Sequence, residues 1–141
     1  AVDPWFIVSQ DPENSRIIKT AREVNDSKPE WVVDKIKAAT DSMSTKKVAC
    51  LGLAFKPDID DLRESPAVRV VELLIEQGYD VFCVEPNINE HEKYNLIDIK
   101  RAIAEFDVIV LLVKHKEFTS NMILTELENK GALDFCGTFS K

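Results

Sequence analysis

The sequence is poor in glycine, histidine and cysteine, with four, two and three of these residues among its 141. The two histidines have no partner at ligand spacing, which predicts no metal site. The cysteines are odd in number and form no CxxC pair, and Cys50 and Cys83 lie in apolar, strand-like runs. We therefore expect buried, reduced thiols in a reducing cytoplasm.

Long apolar runs and an excess of positive charge are also missing. No run approaches the roughly 20 residues of a membrane helix, and the first residues lack the basic segment of a secretory signal. The chain has no initiator Met, so we expect it to begin inside a longer protein. Its formal net charge of −7 disfavours nucleic acid and anionic membranes as partners.

Residues 13–43 carry apolar side chains at helical spacing, which predicts one long helix. Pro29 removes a backbone donor and predicts a kink or break near residues 27–28. A joint at 42–45 divides the chain into a helical arm, 1–44, and a domain, 45–141. The apolar face of the arm is too long for so small a domain to cover, which predicts a homodimer through this helix.

Strands and helices alternate in the remaining sequence. Strands are predicted at 48–55, 80–84, 108–113 and 132–135, and helices at 66–77, about 96–105 and 118–129. The nearly continuous apolar runs are typical of strands covered on both faces. The predicted class is therefore α/β, a Rossmann-like doubly wound parallel sheet preceded by the N-terminal helical arm.

Ligands of open α/β sheets bind beyond the carboxyl ends of the strands. The segment 56–65 follows the first strand, is long for such a connection, and leads into a helix N-terminus capped by Ser65, which favours an anion. Gly52 is the only glycine there, so the GxGxxG fingerprint is absent and side chains would have to hold a phosphate. Lys56 offers a point charge and Arg63 a planar fork.

Plainer interpretations fit the same residues. Lys56 and Arg63 could simply neutralise the four acids of their own segment. His115 follows the third predicted strand and is interpreted as an exposed polar loop residue, and Trp5 and Trp31 as packing residues. The acidic residues have no fixed separation, so no acid–base carboxylate pair is predicted.

The stretch 47–66, KVACLGLAFKPDIDDLRESP, closely resembles the motif that opens the C-terminal UDP-binding domain of the UDP-glucose/GDP-mannose dehydrogenase family. Residues 1–8 and 22–29 resemble the branch that oxidises UDP-N-acetyl-D-mannosamine. The resemblance covers essentially the whole chain. It implies a central helix that forms the dimer and a Rossmann-like domain that holds a UDP-sugar. The NAD-binding domain and the catalytic cysteine would lie upstream.

The resemblance also implies roles for individual residues. Asp3 matches an aspartate that helps to activate the hydrolytic water. Phe55 and Lys56 match residues that contact the UDP-sugar, and Arg63 matches an arginine that reaches the NAD pyrophosphate. Pro57 stands where many relatives have a second lysine, and no ligand role is assigned to it.

The implied reaction oxidises the sugar C6 alcohol to a carboxylate with two NAD, through a thiohemiacetal and a thioester, and supplies a uronate for surface polysaccharide. Without the upstream cysteine and NAD domain, this chain alone is expected to be inactive.

Two alternatives stay open. One is a 6-dehydrogenase for another UDP-sugar such as UDP-glucose. The other is a non-catalytic, flavodoxin-like binding module, for which Asp58, Asp60, Asp61 and Lys114 are superficially suitable.

Overall fold

The computed structural model describes residues 4–139. Its helices and strands, in chain order, are α1 (Pro4–Gln10), α2 (Arg16–Asp26), α3 (Lys28–Ser42), β1 (Lys47–Leu51), α4 (Pro66–Glu76), β2 (Asp80–Val84), β3 (Asn95–Leu96), α5 (Ile99–Glu105), β4 (Val108–Leu111), a 3₁₀ helix (Lys116–Phe118), α6 (Asn121–Asn129) and β5 (Leu133–Asp134). Asp3 lies outside the described residues.

The five strands form one parallel sheet in the order β3-β2-β1-β4-β5. One hydrophobic cluster contains residues of α3 and α4, and a second contains residues of α5 and α6. β1 and β4 contribute side chains to both clusters, as expected for strands buried on both faces. The predicted α/β, doubly wound, parallel architecture is confirmed.

The register brings the carboxyl ends of the central strands to one edge. Leu51, the last residue of β1, pairs with Val84 of β2 and with Leu111 of β4. Cys50 and Cys83 face each other across the β1–β2 pairing and are both fully buried and unbridged. The predicted buried free thiols are confirmed for these two cysteines.

The helical arm is divided differently from the sequence prediction. The break near Pro29 is confirmed, because α2 ends at Asp26 and α3 begins at Lys28. α3 buries Val32, Val33 and Ile36 in the cluster that also holds β1 and α4. The expected boundary after residue 44 therefore separates two segments that share one hydrophobic core, whereas α2 buries no side chain.

Two predicted helices begin later than expected because polar side chains cap them. Asp98 accepts a hydrogen bond from the Arg101 backbone nitrogen (2.8 Å), so α5 begins at Ile99, and 95–96 form the unpredicted strand β3. Ser120 caps α6 in the same way, and the residues before it form the 3₁₀ helix. A cap satisfies an amide that the first helical turn leaves free, and so fixes where the helix starts.

No helix among residues 4–139 combines the length and the apolar character needed to cross a membrane.

Candidate functional site

Three loops meet where β1, β2 and β4 end in register. The longest, residues 52–65, joins β1 to α4 and is called the β1 loop below. The others follow Val84 and Leu111. In the strand order β3-β2-β1-β4-β5, the chain adds β2 and β3 on one side of β1 and then crosses to the other side to form β4. Ligands of such sheets usually bind at the carboxyl ends of the two strands where the direction of winding changes, here β1 and β4.

Gly52 opens the β1 loop with a left-handed backbone conformation, at φ +96°. Its amide donates to the Val84 carbonyl (2.8 Å). A Cβ atom at this position would lie 2.5 Å from the Cβ and 2.9 Å from the backbone nitrogen of Val113. Only glycine therefore fits where the chain passes between the ends of β2 and β4.

Glu85 lies at the centre of the three loops, and its side chain is fully buried. Its Oε2 accepts hydrogen bonds from the backbone nitrogens of Leu53 (2.7 Å) and Ala54 (3.2 Å). Its Oε1 accepts from the backbone and side-chain nitrogens of Asn87 (3.2 and 3.1 Å). The Nε2 atom of His115 lies 2.9 Å from Oε2. One carboxylate thus joins all three loops.

The hydrogen bonds fix the protonation of this pair. Nδ1 of His115 accepts from the backbone nitrogen of Asp58 (2.8 Å), so the proton is on Nε2, which donates to Glu85. The 4.0 Å between Nδ1 and the Asp58 carboxylate is too long for a hydrogen bond. Burial raises the pKa of Glu85, but the hydrogen bonds from His115, Leu53 and Asn87 and the electrostatic attraction of the His115 ring outweigh it and hold that pKa below its ordinary value.

The interpretation of His115 as an exposed loop residue is wrong. Its side chain is fully buried and packs edge-on against Phe118, with the ring centres 5.7 Å apart. Asp58, at φ +62°, also accepts from the Lys116 backbone nitrogen (2.8 Å). The backbone nitrogen and the carboxylate of Asp58 therefore both bind the β1 loop to residues 115–116, in the loop that follows β4. A charged residue directly after an apolar strand, as Glu85 is, was the sequence signal that could have indicated this network.

Phe55 and Lys56 lie on the outer side of the β1 loop. The Phe55 amide donates to the Asp61 carbonyl (2.8 Å), while 48% of the residue is exposed. Nζ of Lys56 lies 5.6 Å from the centre of the Phe55 ring. Within the described part of the chain, Lys56 forms no salt bridge, so its charge is available to an anionic ligand.

Arg63 is placed differently from Lys56, although the sequence suggested a joint role. Its Nε and Nη2 atoms lie 3.0 and 2.9 Å from the two carboxylate oxygens of Asp61, and its side chain is 89% exposed. The hydrogen bonds from Arg63 lower the pKa of Asp61 to about 2. The interpretation in which a loop cation neutralises a neighbouring acid thus describes Arg63 and does not describe Lys56.

A cavity of about 440 Å³ lies beside the three loops, beyond the ends of β2 and β3. Its walls are mainly apolar, and Glu85, Asp98 and Glu117 are its acidic members. None of its lining residues is a cation, so it does not suit a phosphate. Among residues 4–139, no three His, Cys, Asp or Glu side chains are arranged to hold a metal ion.

The sequence of this chain is similar to that of a known protein family. Residues 49–140 match a family model described as the UDP binding domain of the UDP-glucose/GDP-mannose dehydrogenase family. The UDP-N-acetyl-D-mannosamine dehydrogenase of Campylobacter jejuni is 49% identical over 144 residues, which cover 96% of this chain and 34% of that protein. That of Escherichia coli K12 is 49% identical over 132 residues, 84% and 31% of the two chains.

Solved structures give the same result. A UDP-N-acetyl-mannosamine dehydrogenase from Staphylococcus aureus superposes with a TM-score of 0.74 at 38% identity, covering 85% of this chain and 28% of that one. The corresponding enzyme of Pyrococcus horikoshii gives 0.79 at 25% identity, covering 98% and 34%. The chain spans about a third of the length of the curated relatives it matches.

Proposed function

This chain belongs to the UDP-glucose/GDP-mannose dehydrogenase family, and from that premise we propose that it is the part that binds the UDP-sugar in an NAD-dependent 6-dehydrogenase. The proposed substrate is UDP-N-acetyl-D-mannosamine, whose C6 alcohol is oxidised to a carboxylate. The relatives that are 49% identical to this chain over the aligned residues carry that substrate in their names. UDP-glucose is the competing substrate.

The ammonium of Lys56 carries this proposal: it lies beyond the end of β1, 5.6 Å from the centre of the Phe55 ring, and forms no salt bridge with any of residues 4–139. A lysine ammonium binds phosphate oxygens as a point charge. The half-exposed ring of Phe55 beside it offers an apolar surface to the rest of the ligand. We assign both residues to the UDP-sugar.

The NAD pyrophosphate would be contacted by a side chain of this chain and not by its backbone amides. The backbone amides of Leu53 and Ala54, at the first turn of the sheet, donate to Glu85 and offer no cradle for a pyrophosphate. Arg63 is the residue we assign to the cofactor, and its guanidinium would exchange Asp61 for a pyrophosphate oxygen. We assign Asp3, which lies outside the described residues, to activation of the hydrolytic water.

The three cysteines of this chain are poor nucleophiles. Burial raises the pKa of Cys83 to about 12 and that of Cys136 to about 11, and it also raises the pKa of Cys50. A thiol attacks as its thiolate, which is scarce at such values. We therefore propose that the reactive thiol is supplied by another part of the protein. NADH formation from UDP-N-acetyl-D-mannosamine by the purified 141-residue chain would contradict this.

Isothermal titration with UDP tests the site directly. Lys56→Ala should weaken binding by roughly 1.5–3 kcal/mol, which is about 10- to 140-fold in Kd. Lys130→Ala is the matched control, because Lys130 lies near the start of β4, at the opposite end of the sheet. Equal affinities of wild type and Lys56→Ala would remove Lys56 from the site.

We also propose a homodimer through the N-terminal helices. Ile17 and Val24, seven residues apart on one face of α2, are 86% and 66% exposed, and Phe6 of α1 is 64% exposed. Sedimentation equilibrium should show a dimer that Ile17→Glu dissociates. Ile75→Glu, on the exposed side of α4, is the control. A monomeric wild-type chain would contradict the proposal.

The compartment proposed is the cytoplasm. Cys50, Cys83 and Cys136 are all unbridged thiols, which fits a reducing environment.

A further inference from the structure

The start of the β1 loop, residues 52–54 and called the β1 turn below, binds the carboxylate of Glu85. In dinucleotide-binding folds the amides of this turn face the pyrophosphate of the ligand. Here the corresponding amides, those of Leu53 and Ala54, both donate to Oε2 of Glu85, a carboxylate with no exposed surface. A side chain from the end of β2 therefore occupies the position where a phosphate would otherwise be bound.

We propose that Glu85 and His115 are a positioning pair for the UDP-sugar site. Glu85 fills the anion position of the β1 turn, and His115 ties the far side of the same loop to it. Together they hold Phe55 and Lys56 on the outer side of the loop, where the nucleotide phosphate binds. This inference rests on the proposed function, because it concerns how the residues of that site are held.

Two anchors enclose the ligand-binding residues. Ala54 donates to Glu85, and Asp58 donates to His115, which in turn donates to Glu85. Only residues 55–57 lie between these anchors, so Lys56 is the middle residue of a segment bound at both ends. A lysine whose backbone is fixed loses less conformational freedom when it binds a ligand.

The charge of the pair also excludes phosphate from the turn. His115 is neutral, because its Nδ1 accepts a hydrogen bond from Asp58. The negative charge of Glu85 is therefore stabilised by hydrogen bonds from Leu53, Ala54, Asn87 and His115, and no Lys or Arg among residues 4–139 forms a salt bridge with it. A second anion in this turn would face like charge without water to screen it. The phosphate must approach Lys56 from outside.

Matched variants separate the two hydrogen bonds of His115. His115→Gln can keep a donor near the Nε2 position and loses the acceptor for the Asp58 amide. His115→Asn can keep that acceptor and loses the donor to Glu85. Glu85→Gln removes the charge and keeps the shape. Glu72→Gln is the control, because Glu72 bonds to Lys93 and Tyr94 on another surface.

The experiment combines UDP titration with amide hydrogen exchange by NMR on the 141-residue chain. We expect Glu85→Gln to speed exchange at Leu53 and Ala54, and His115→Gln to speed it at Asp58. Each substitution should weaken UDP binding at least about ten-fold, while the backbone amides of β4 stay protected from hydrogen exchange. His115→Asn should restore slow exchange at Asp58 and part of the UDP affinity. Glu72→Gln should leave both measurements unchanged.

Two failures can be told apart. UDP affinity that stays at the wild-type value although the loop amides exchange faster would overturn the positioning proposal and leave the proposed function standing. A wild-type chain that binds no UDP would overturn both, whatever the amides do. If Glu85→Gln does not fold, the comparison of His115→Gln with His115→Asn decides the question.

Discussion

Arg63 and Asp61 are joined by two hydrogen bonds, of 3.0 Å from Nε to Oδ1 and 2.9 Å from Nη2 to Oδ2. The Arg63 side chain is 89% exposed, and exposed ion pairs contribute little to stability. An anionic ligand can therefore replace Asp61 at low cost. The pair thus holds the Arg63 side chain in a defined position and still leaves it able to bind an anionic ligand.

This pairing predicts the titration of Asp61. Arg63→Met removes the two side-chain hydrogen bonds and the charge of Arg63 but keeps the hydrogen bond from the backbone nitrogen of residue 63 (3.0 Å), so the pKa of Asp61 should rise from about 2 toward its ordinary value of 3.8 without reaching it. Carboxyl chemical shifts followed by NMR through an acid titration would measure it. Arg69→Met, which removes the 4.0 Å contact with Glu76, should not change the Asp61 titration. An unchanged Asp61 in Arg63→Met would show that the pair does not form in solution.

The buried Glu85 predicts how stability depends on pH. Its pKa in the folded protein lies below its ordinary value of 4.5, so the carboxylate stabilises the fold above that value. The contribution is lost as the pH falls below about 4.5, because the unfolded chain then binds the proton more readily. Urea unfolding at several pH values should show a smaller loss at low pH in Glu85→Gln than in wild type.

The control for this experiment is Glu128→Gln, at an exposed position of α6. It should leave the acid dependence of the wild type unchanged. If Glu85→Gln and wild type lose stability in parallel as the pH falls, Glu85 is not the carboxylate responsible.

Gly52→Ala should destabilise the fold strongly, and Gly78→Ala provides the comparison. Ala at Gly78 (φ +86°), where nothing lies within 4 Å of an added Cβ, should cost only the left-handed strain, about 1–2 kcal/mol. Ala at Gly52 adds the clash with Val113, a further ~1–3 kcal/mol. Urea unfolding of both variants measures the two losses of stability. Equal losses would mean that Val113 can move away from residue 52 without cost.

Local signals were sufficient for most of the fold. The apolar run at 80–84 gave β2 with its observed bounds, Asp80–Val84, and Pro29 marked the break between α2 and α3. β3 was missed because its two residues, Asn95–Leu96, carry no strand pattern and pair only through the finished β2. α1 was also missed, because its seven residues are too few for a helical period to be evident.

The candidate site was predicted only where it is local in sequence. Phe55, Lys56 and Arg63 follow one strand, so a single stretch revealed them. Glu85 and His115 lie 30 residues apart and meet because β2 and β4 flank β1 in the sheet. No local pattern in the sequence specifies that strand order. The charged Glu85 directly after an apolar strand was a signal for a buried polar network, but the residues around His115 did not identify it as the partner. The Arg63–Asp61 pair was foreseen only as one of two interpretations.

Ser65 joins the end of the β1 loop to its beginning, and a matched serine can measure that bond. Its Oγ accepts from the Val68 amide (3.4 Å), as a helix cap, and donates to the Ala54 carbonyl (3.3 Å). Ser120 caps α6 at the same 3.4 Å distance, accepting from the Ile123 amide, and is exposed. Ser120→Ala should cost about 1 kcal/mol. Ser65→Ala should cost about 1 kcal/mol more, because it leaves a buried carbonyl without its partner.

Urea unfolding of both serine variants measures this difference. Ser65→Ala should also weaken UDP binding, because Ala54 adjoins the segment that carries Lys56, whereas Ser120→Ala should not. Ser65→Thr keeps the hydroxyl and should recover most of the affinity. Equal stabilities and equal UDP affinities of the two alanine variants would show that the Ser65–Ala54 hydrogen bond does not hold the β1 loop.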